Sequence, residues 1–231
     1  MSSSRGPISI FKDKNFSDVI DEHIAEIQKL YLEDSLPWII GYSGGKDSTA
    51  IVQLIWLAIS NLSEEKRHKD IWIITTDTLV ENPIVSLWVD HSLKTMDESA
   101  QKNKLPFYTK LLTPPANNSF WTILIGRGYP APIRGFRWCT NRLKIDPVST
   151  FVESFDKDDQ QVIIVIGTRK AESAVRSATI KKHEKKGIRQ NLSSHNSMSN
   201  AYVYAPIKDW LNDDVWMFLM QQKNPWGLNN K

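Results

Sequence analysis

The chain contains one cysteine, Cys139, in 231 residues. That excludes an internal disulfide and fits a reducing compartment. No apolar run reaches the length of a membrane span, and the first residues, MSSSRGPISIFKDKN, lack the apolar block of a secretion signal. These absences predict a cytoplasmic protein that makes no membrane contact. Internal repeats and low-complexity tracts are missing as well. A Walker A loop is also absent, because that motif needs a glycine five positions before its Gly-Lys pair and Ser or Thr after the lysine. Here Ile40 stands five before Gly45, and Asp47 follows Lys46.

What is present is a globular composition, 41% apolar, enough for a sizeable core. The segments alternate. Ser17 to Tyr31 carries Ile20, Ile24, Ile27 and Tyr31 at helical steps, with Asn15 or Ser17 as cap. PWIIGY, DIWIITTDT, PFYTKLLTPP and QVIIVIGTR read as buried strands, and Tyr202 to Ala205 as a further one. Helices are expected from Ser48 to Ser60, from Pro83 to about Lys102, from Ser119 to Ile125, from Pro147 to Phe155, and after Asn212. Glu64 to Lys69 reads as a charged surface link and Ser193 to Asn200 as a mobile loop, while Ala131 to Asn141 fits no element. Short continuous apolar strands alternating with helices predict an α/β fold: a Rossmann-like parallel sheet of about five strands covered on both faces. We expect one domain over 1–231, with a helix in 1–35 packing on it.

The net charge of +3 is unevenly placed. Arg127, Arg134, Arg137, Arg142 and Lys144 fall in a stretch without acidic residues, and Gly167 to Gln190 carries eight basic residues against two acidic. Such segregation points to a surface that meets nucleotide, nucleic acid or both; a solvated charged face is the alternative.

The segment GYSGGKDS, Gly41 to Ser48, lies between the first strand and its following helix, where ligands of open parallel sheets bind. Its glycines let backbone amides approach an anion, and with the helix start they make a phosphate cradle. Lys46 reads as a phosphate contact and Asp47 as a metal or orienting group.

SGGKDS matches the pyrophosphate loop of the ATP pyrophosphatases, the adenine nucleotide alpha hydrolase superfamily. Four further blocks resemble its phosphoadenosine phosphosulfate (PAPS) reductase branch: TTDTLVENP from Thr75, RWCTNRLKIDP from Arg137, GTRKAESAVR from Gly167 and PIKDWLNDDVW from Pro206. Within that branch the combination is most similar to the DndC family, the sulfurtransferase-type proteins of DNA phosphorothioate modification. The resemblance implies that Tyr42, Ser43, Gly44, Gly45, Lys46, Asp47 and Ser48 hold ATP phosphates. Thr76, Asp77 and Thr78 would lie near adenosine or Mg2+, and Gly167 would let the backbone pass close to the nucleotide. Arg169 and Arg176 would bind phosphate, and Glu172 would orient an arginine or bind ribose; Glu172 and Arg176, four apart, also fit a simple ion pair. Lys46, Asp47 and Arg169 would carry catalysis, with Asp47 on Mg2+. DNA would be the acceptor, contacted by Arg134, Arg137, Arg142, Lys144, Lys181 and Lys182, with a cysteine desulfurase as sulfur donor and other phosphorothioation proteins as partners. Lys181 to Arg189 is either a clamp over nucleotide or DNA, or a solvated loop. Cys139 is a packed small residue, a sulfur-carrying thiol or an iron–sulfur ligand. The family resemblance implies a [4Fe-4S] cluster, which one cysteine cannot hold. A longer C-terminal region, beyond NPWGLNNK, is expected to supply the others. The rival expectations are a sulfonucleotide reductase and a non-catalytic nucleotide-binding module.

Overall fold

In the computed structural model, which describes residues 8–156, 161–185, 191–195, 198 and 200–227, six strands form one sheet in the order β3-β2-β1-β4-β6-β5. These are β1 (Trp38–Gly41), β2 (Ile71–Thr76), β3 (Phe107–Leu112), β4 (Val162–Val165), β5 (Leu192–Ser194) and β6 (Ala201–Tyr204). All neighbours pair in parallel except β5, which runs antiparallel to β6 at the edge.

The apolar runs are continuous because both faces of the sheet are covered. Trp38, Ile40, Ile71, Ile73, Phe107, Ile163, Val165 and Tyr204 belong to one buried cluster. Helices α1 (Phe16–Leu32), α2 (Lys46–Ser60), α3 (Pro83–Lys102) and α7 (Asn212–Gln221) complete it. The intervening residues Ile39, Ile74, Val162 and Ile164 point the other way, against Val148, Val152, Phe151 and Phe155 of α5 (Asp146–Asp156). A strand period of two therefore splits one sequence run between two cores.

Helix α2 is buried nearly all round rather than along one face. Ile51, Val52, Leu54, Ile55, Ala58 and Ile59 are all fully buried, because α2 packs on the sheet and also against α1 and α7. A helix that is apolar nearly all round belongs in the interior. Its first turn is thereby fixed in place.

Three other expectations change. Ser193 and Ser194 belong to β5 rather than to a loop; residues 196, 197 and 199 lie outside the described residues. The segment from Ala174 to Lys185 forms a helix, α6, that carries no apolar stripe and so gave no periodic signal. Only 186–189 of the expected clamp lie outside the described residues. Lys69 is buried rather than part of a surface link: its ammonium lies 2.7 Å from Asp34 Oδ1 and 4.9 Å from the Tyr31 ring centroid. Asn15 occupies the N-cap position of α1 without a side-chain bond, and the start of α7 is capped by Asp214, whose Oδ2 accepts the Leu211 N–H at 2.7 Å.

Helix α1 is tied to the far end of the fold. The Trp210 indole N–H donates to His23 Nε2 at 3.1 Å, and the Tyr204 hydroxyl donates to Glu26 Oε1 at 3.0 Å. An imidazole accepting at Nε2 is neutral there. Burial lowers the His23 pKa below its ordinary 6.5, against the raising pull of Glu26, Glu22 and Asp209. Because the folded state disfavours the proton, the unfolded state binds more of it, and stability is full above pH 6.5 and falls as pH drops through the folded-state pKa. Urea midpoints taken from about pH 8 to pH 5 are expected to fall, and His23→Gln, which keeps an acceptor for the indole, is expected to flatten that fall.

Candidate functional site

In the sheet order the chain leaves β1 toward β2 and β3 on one side, and leaves β4 toward β6 on the other. The crevice beyond the carboxyl ends of β1 and β4 is thus a topological switch point. Ile40 and Val165 are in register, so the segments 42–45 and 166–172 emerge side by side. The end of β2, with Thr76, flanks the crevice on its other side.

Gly44 has φ +71°, and a Cβ there would lie 2.9 Å from Val89 Cγ2. Both facts require glycine: the left-handed region disfavours other residues, and α3 leaves no room. Gly45 is the N-cap of α2, and no side chain caps that helix. The first amides of a helix have no intrahelical acceptor, so this end offers free donors and the positive end of the dipole to an anion. Serines brace the loop from inside. Ser48 Oγ donates to the Gly45 carbonyl at 2.9 Å and lies 3.2 Å from both Ser43 N and Ser43 Oγ. Thr75, a residue the sequence did not single out, donates to the Tyr42 carbonyl at 2.6 Å. Tyr42 itself is buried in the core, where burial raises its hydroxyl pKa against hydrogen bonds to Ser92 and Thr49. It therefore meets the loop through its backbone.

Charge is concentrated at the helix start. Lys46 Nζ is 2.8 Å from Asp47 Oδ2, and Arg169 Nε is 2.8 Å from Asp47 Oδ1. Both atoms of that second pair are buried, and neither makes a hydrogen bond besides this ion contact. Arg169 is only 4% exposed, and its Nη1 donates to the Trp210 carbonyl at 3.5 Å. Glu172 lies 3.9 Å from Arg169 and forms an ion pair with Arg176. It sits in a single turn ahead of α6, so it bridges two arginines rather than pairing along one helix. Gly167 gives the β4 loop its approach: a Cβ there would lie 2.8 Å from Ile51 Cδ1 and 3.4 Å from Asp47 Cβ.

Asp77 and Thr78 form the third wall. Asp77 Oδ1 accepts the Leu79 N–H at 2.8 Å, and buried Thr78 donates to Glu81 Oε1 at 3.2 Å. Glu81 in turn meets Lys144 at 3.2 Å, and Arg142 meets Asp146 at 3.4 Å. Arg134, Arg137 and Lys181 are exposed, and Lys182 lies in α6. Cys139 is half-buried, and among the described residues no group of three His, Cys, Asp or Glu side chains is placed to hold a metal. The structure thus brings together the loop, Asp77, Thr78, Gly167, Arg169, Glu172 and Arg176 at one sheet edge, and of the basic residues 134–144 it ties Lys144 to that wall through Glu81.

This arrangement is an anion cradle at a switch point, backed by a buried arginine. Residues 37–226 match the phosphoadenosine phosphosulfate reductase domain. The chain belongs to that family. An uncharacterized protein of Methanocaldococcus jannaschii, MJ0066, is 26% identical over 213 residues, and the match covers 90% of this chain but 37% of that relative's length. Two solved structures share the fold. The U34-tRNA thiolase NcsA of Methanococcus maripaludis, with its [4Fe-4S] cluster, aligns at TM-score 0.52 and 13% identity over 90% of this chain and 65% of that one. The NAD+ synthetase of Burkholderia pseudomallei aligns at 0.52 and 10% identity, over 93% of this chain and 79% of the other. Among the described residues no helix of this family member is long and apolar enough to cross a membrane.

The glycine requirement is open to test. Gly44→Ala adds a methyl at positive φ against Val89, and we expect a loss of about 1–3 kcal/mol in unfolding free energy, read from denaturant midpoints. Gly45→Ala, which meets nothing closer than Ser43 Oγ at 3.4 Å, is expected to cost less.

Proposed function

We propose that this chain binds ATP with its β and γ phosphates in the Ser43–Ser48 loop, and adenylates a DNA backbone phosphate for replacement of a non-bridging oxygen by sulfur. The observation that carries the nucleotide half is the uncapped start of α2, with Gly44 held open against Val89 and Lys46 at the first helical position. The DNA half rests on the similarity of the five motif blocks to the DNA phosphorothioation proteins and on the basic residues beside the crevice.

A non-bridging oxygen of the acceptor attacks the α phosphorus, the bond to the bridging oxygen of the β phosphate breaks, and pyrophosphate leaves. The loop amides and Lys46 meet the charge that grows on that leaving group. Arg169, pinned by Trp210 and Asp47, is positioned for the α phosphate. The adenylated oxygen then departs with AMP when the terminal sulfur of a persulfide, supplied by a cysteine desulfurase and its partner proteins, attacks the acceptor phosphorus; a thiol of those donor proteins then breaks the S–S bond, leaving the phosphorothioate and a donor disulfide. Mg2+ fits this site through the Asp47 carboxylate, which Lys46 and Arg169 hold at the helix start, together with the phosphates themselves. When bound, it offsets phosphate charge. The described residues do not fit an iron–sulfur cluster, since Cys139 is the chain's one cysteine and a cubane needs four ligands; no step runs through one.

Incubation with ATP, Mg2+, DNA and a sulfur-loaded cysteine desulfurase tests the reading. Pyrophosphate and AMP in equal amounts are the expected products. Sulfite from PAPS instead would make the chain a sulfonucleotide reductase, and nucleotide binding without turnover would make it an assembly module.

A further inference from the structure

Between β3 and α5 the chain makes an excursion that an aromatic stack holds together. Phe120 and Trp138 lie ring on ring at 5.4 Å, Tyr129 meets Trp138 edge-on at 5.9 Å, and the Trp138 indole N–H donates to the Pro130 carbonyl at 2.9 Å. Two aromatic rings are left outside this stack. Trp121, edge-on to Phe120, is 57% exposed, and Phe136, on the small turn that pairs Ile133 with Phe136, is 44% exposed.

The cations here fall into two groups. Arg142 and Lys144 are engaged by Asp146 and Glu81, and Arg127 donates to the Asn117 carbonyl at 2.8 Å. Arg134 and Arg137, on the same turn as Phe136, are exposed, and their guanidinium groups make no ion pair or hydrogen bond among the described residues. No acidic residue occurs from Arg127 to Lys144. The Lys144–Glu81–Thr78 chain of contacts fastens this surface to the wall of the nucleotide crevice.

Exposed planar rings alternating with unpaired arginines are what an unpaired strand needs: rings for its bases and guanidinium groups for its phosphates. A duplex hides its base faces and can use only the cations. We propose that Trp121, Phe136, Arg134 and Arg137 form a stacking platform that presents the acceptor DNA as a single strand at the mouth of the crevice. This rests on the DNA reading above and adds the form in which the acceptor is held.

The experiment measures fluorescence anisotropy of a labelled mixed-sequence DNA strand of about 20 nucleotides, its duplex, and the same sequence as RNA. The single DNA strand is expected to bind at least about tenfold more tightly than the duplex, and Trp121→Ala and Phe136→Ala are each expected to weaken it by about tenfold, with little change in duplex binding. Arg134→Ala with Arg137→Ala is expected to reduce the dependence of log K on log salt by about 1.4. Thermal melts check that these exposed substitutions leave the fold intact. Equal or tighter duplex binding overturns the platform, and so does unchanged affinity in the two aromatic variants. Tighter binding of RNA overturns the assignment to DNA. ATP binding by the unaltered chain is measured separately: its failure counts against the nucleotide site, while the comparison of strands still decides the platform.

Discussion

Replacing Lys46 with alanine is expected to cut ATP-dependent pyrophosphate release by about two to three orders of magnitude, the usual loss when one preorganised group facing a growing negative charge is removed. Lys46 opens α2 and is half-buried beside the loop. Its ammonium rests on Asp47 at 2.8 Å. An arriving polyphosphate competes with that carboxylate for both Lys46 and Arg169, and Asp47 is then left for a cation. The alanine variant keeps the amide cradle, so nucleotide still docks. What it lacks is charge matched to the leaving group as the bond lengthens. The loss should therefore fall mainly on kcat, with KM changing less. Lys46→Arg keeps the charge and is expected to retain much of the rate. The side chain supports no core packing, so the melting temperature should hardly move. Turnover that survives Lys46→Ala would mean that the leaving group is bound elsewhere.

How much of this was legible in the sequence depends on where each signal resides. The central strands were readable because burial on both faces demands unbroken apolar runs, and Trp38–Gly41, Ile71–Thr76 and Val162–Val165 have them. The phosphate loop was readable because its demands are local: Gly44 needs a positive φ, and Lys46 stands two positions further along the chain. Strand β5 was not, since Leu-Ser-Ser is polar and an edge strand buries little. Helix α6 was not, since it carries no stripe to detect. The bracing of the site was also hidden. Thr75 reaching Tyr42, Val89 closing over Gly44, and Trp210 receiving Arg169 are contacts between distant segments, and no spacing in the chain announces them. PIKDWLNDDVW could be matched only as a family block, whereas the fold makes its Trp210 the floor under Arg169.

That floor carries the second large effect. Trp210→Ala is expected to lower the unfolding free energy by about 3–5 kcal/mol, as for other fully buried tryptophans. For a chain of this size that is a fall of about 6–20 °C in melting temperature. Trp210 is fully buried, with rings of Phe218, His23 and Phe11 at 5.4, 5.4 and 6.0 Å. Its removal leaves a cavity where α1, α7 and the turn after β6 meet, and orphans His23 Nε2. Trp210→Phe keeps much of the ring contact and loses the indole N–H, so it should cost less than alanine. The same turn is bound to the Arg169 loop at three points: the Trp210 carbonyl, the Lys208 carbonyl that accepts the Lys170 N–H at 2.8 Å, and Asp209, 2.8 Å from the Lys170 ammonium. A turn that sags into the cavity carries Arg169 with it. Weaker nucleotide binding should therefore accompany the loss of stability, and Trp210→Phe should lie between wild type and alanine in both. If nucleotide affinity stays at the wild-type level while stability falls, Arg169 is held by Asp47 alone, and the turn after β6 serves packing only.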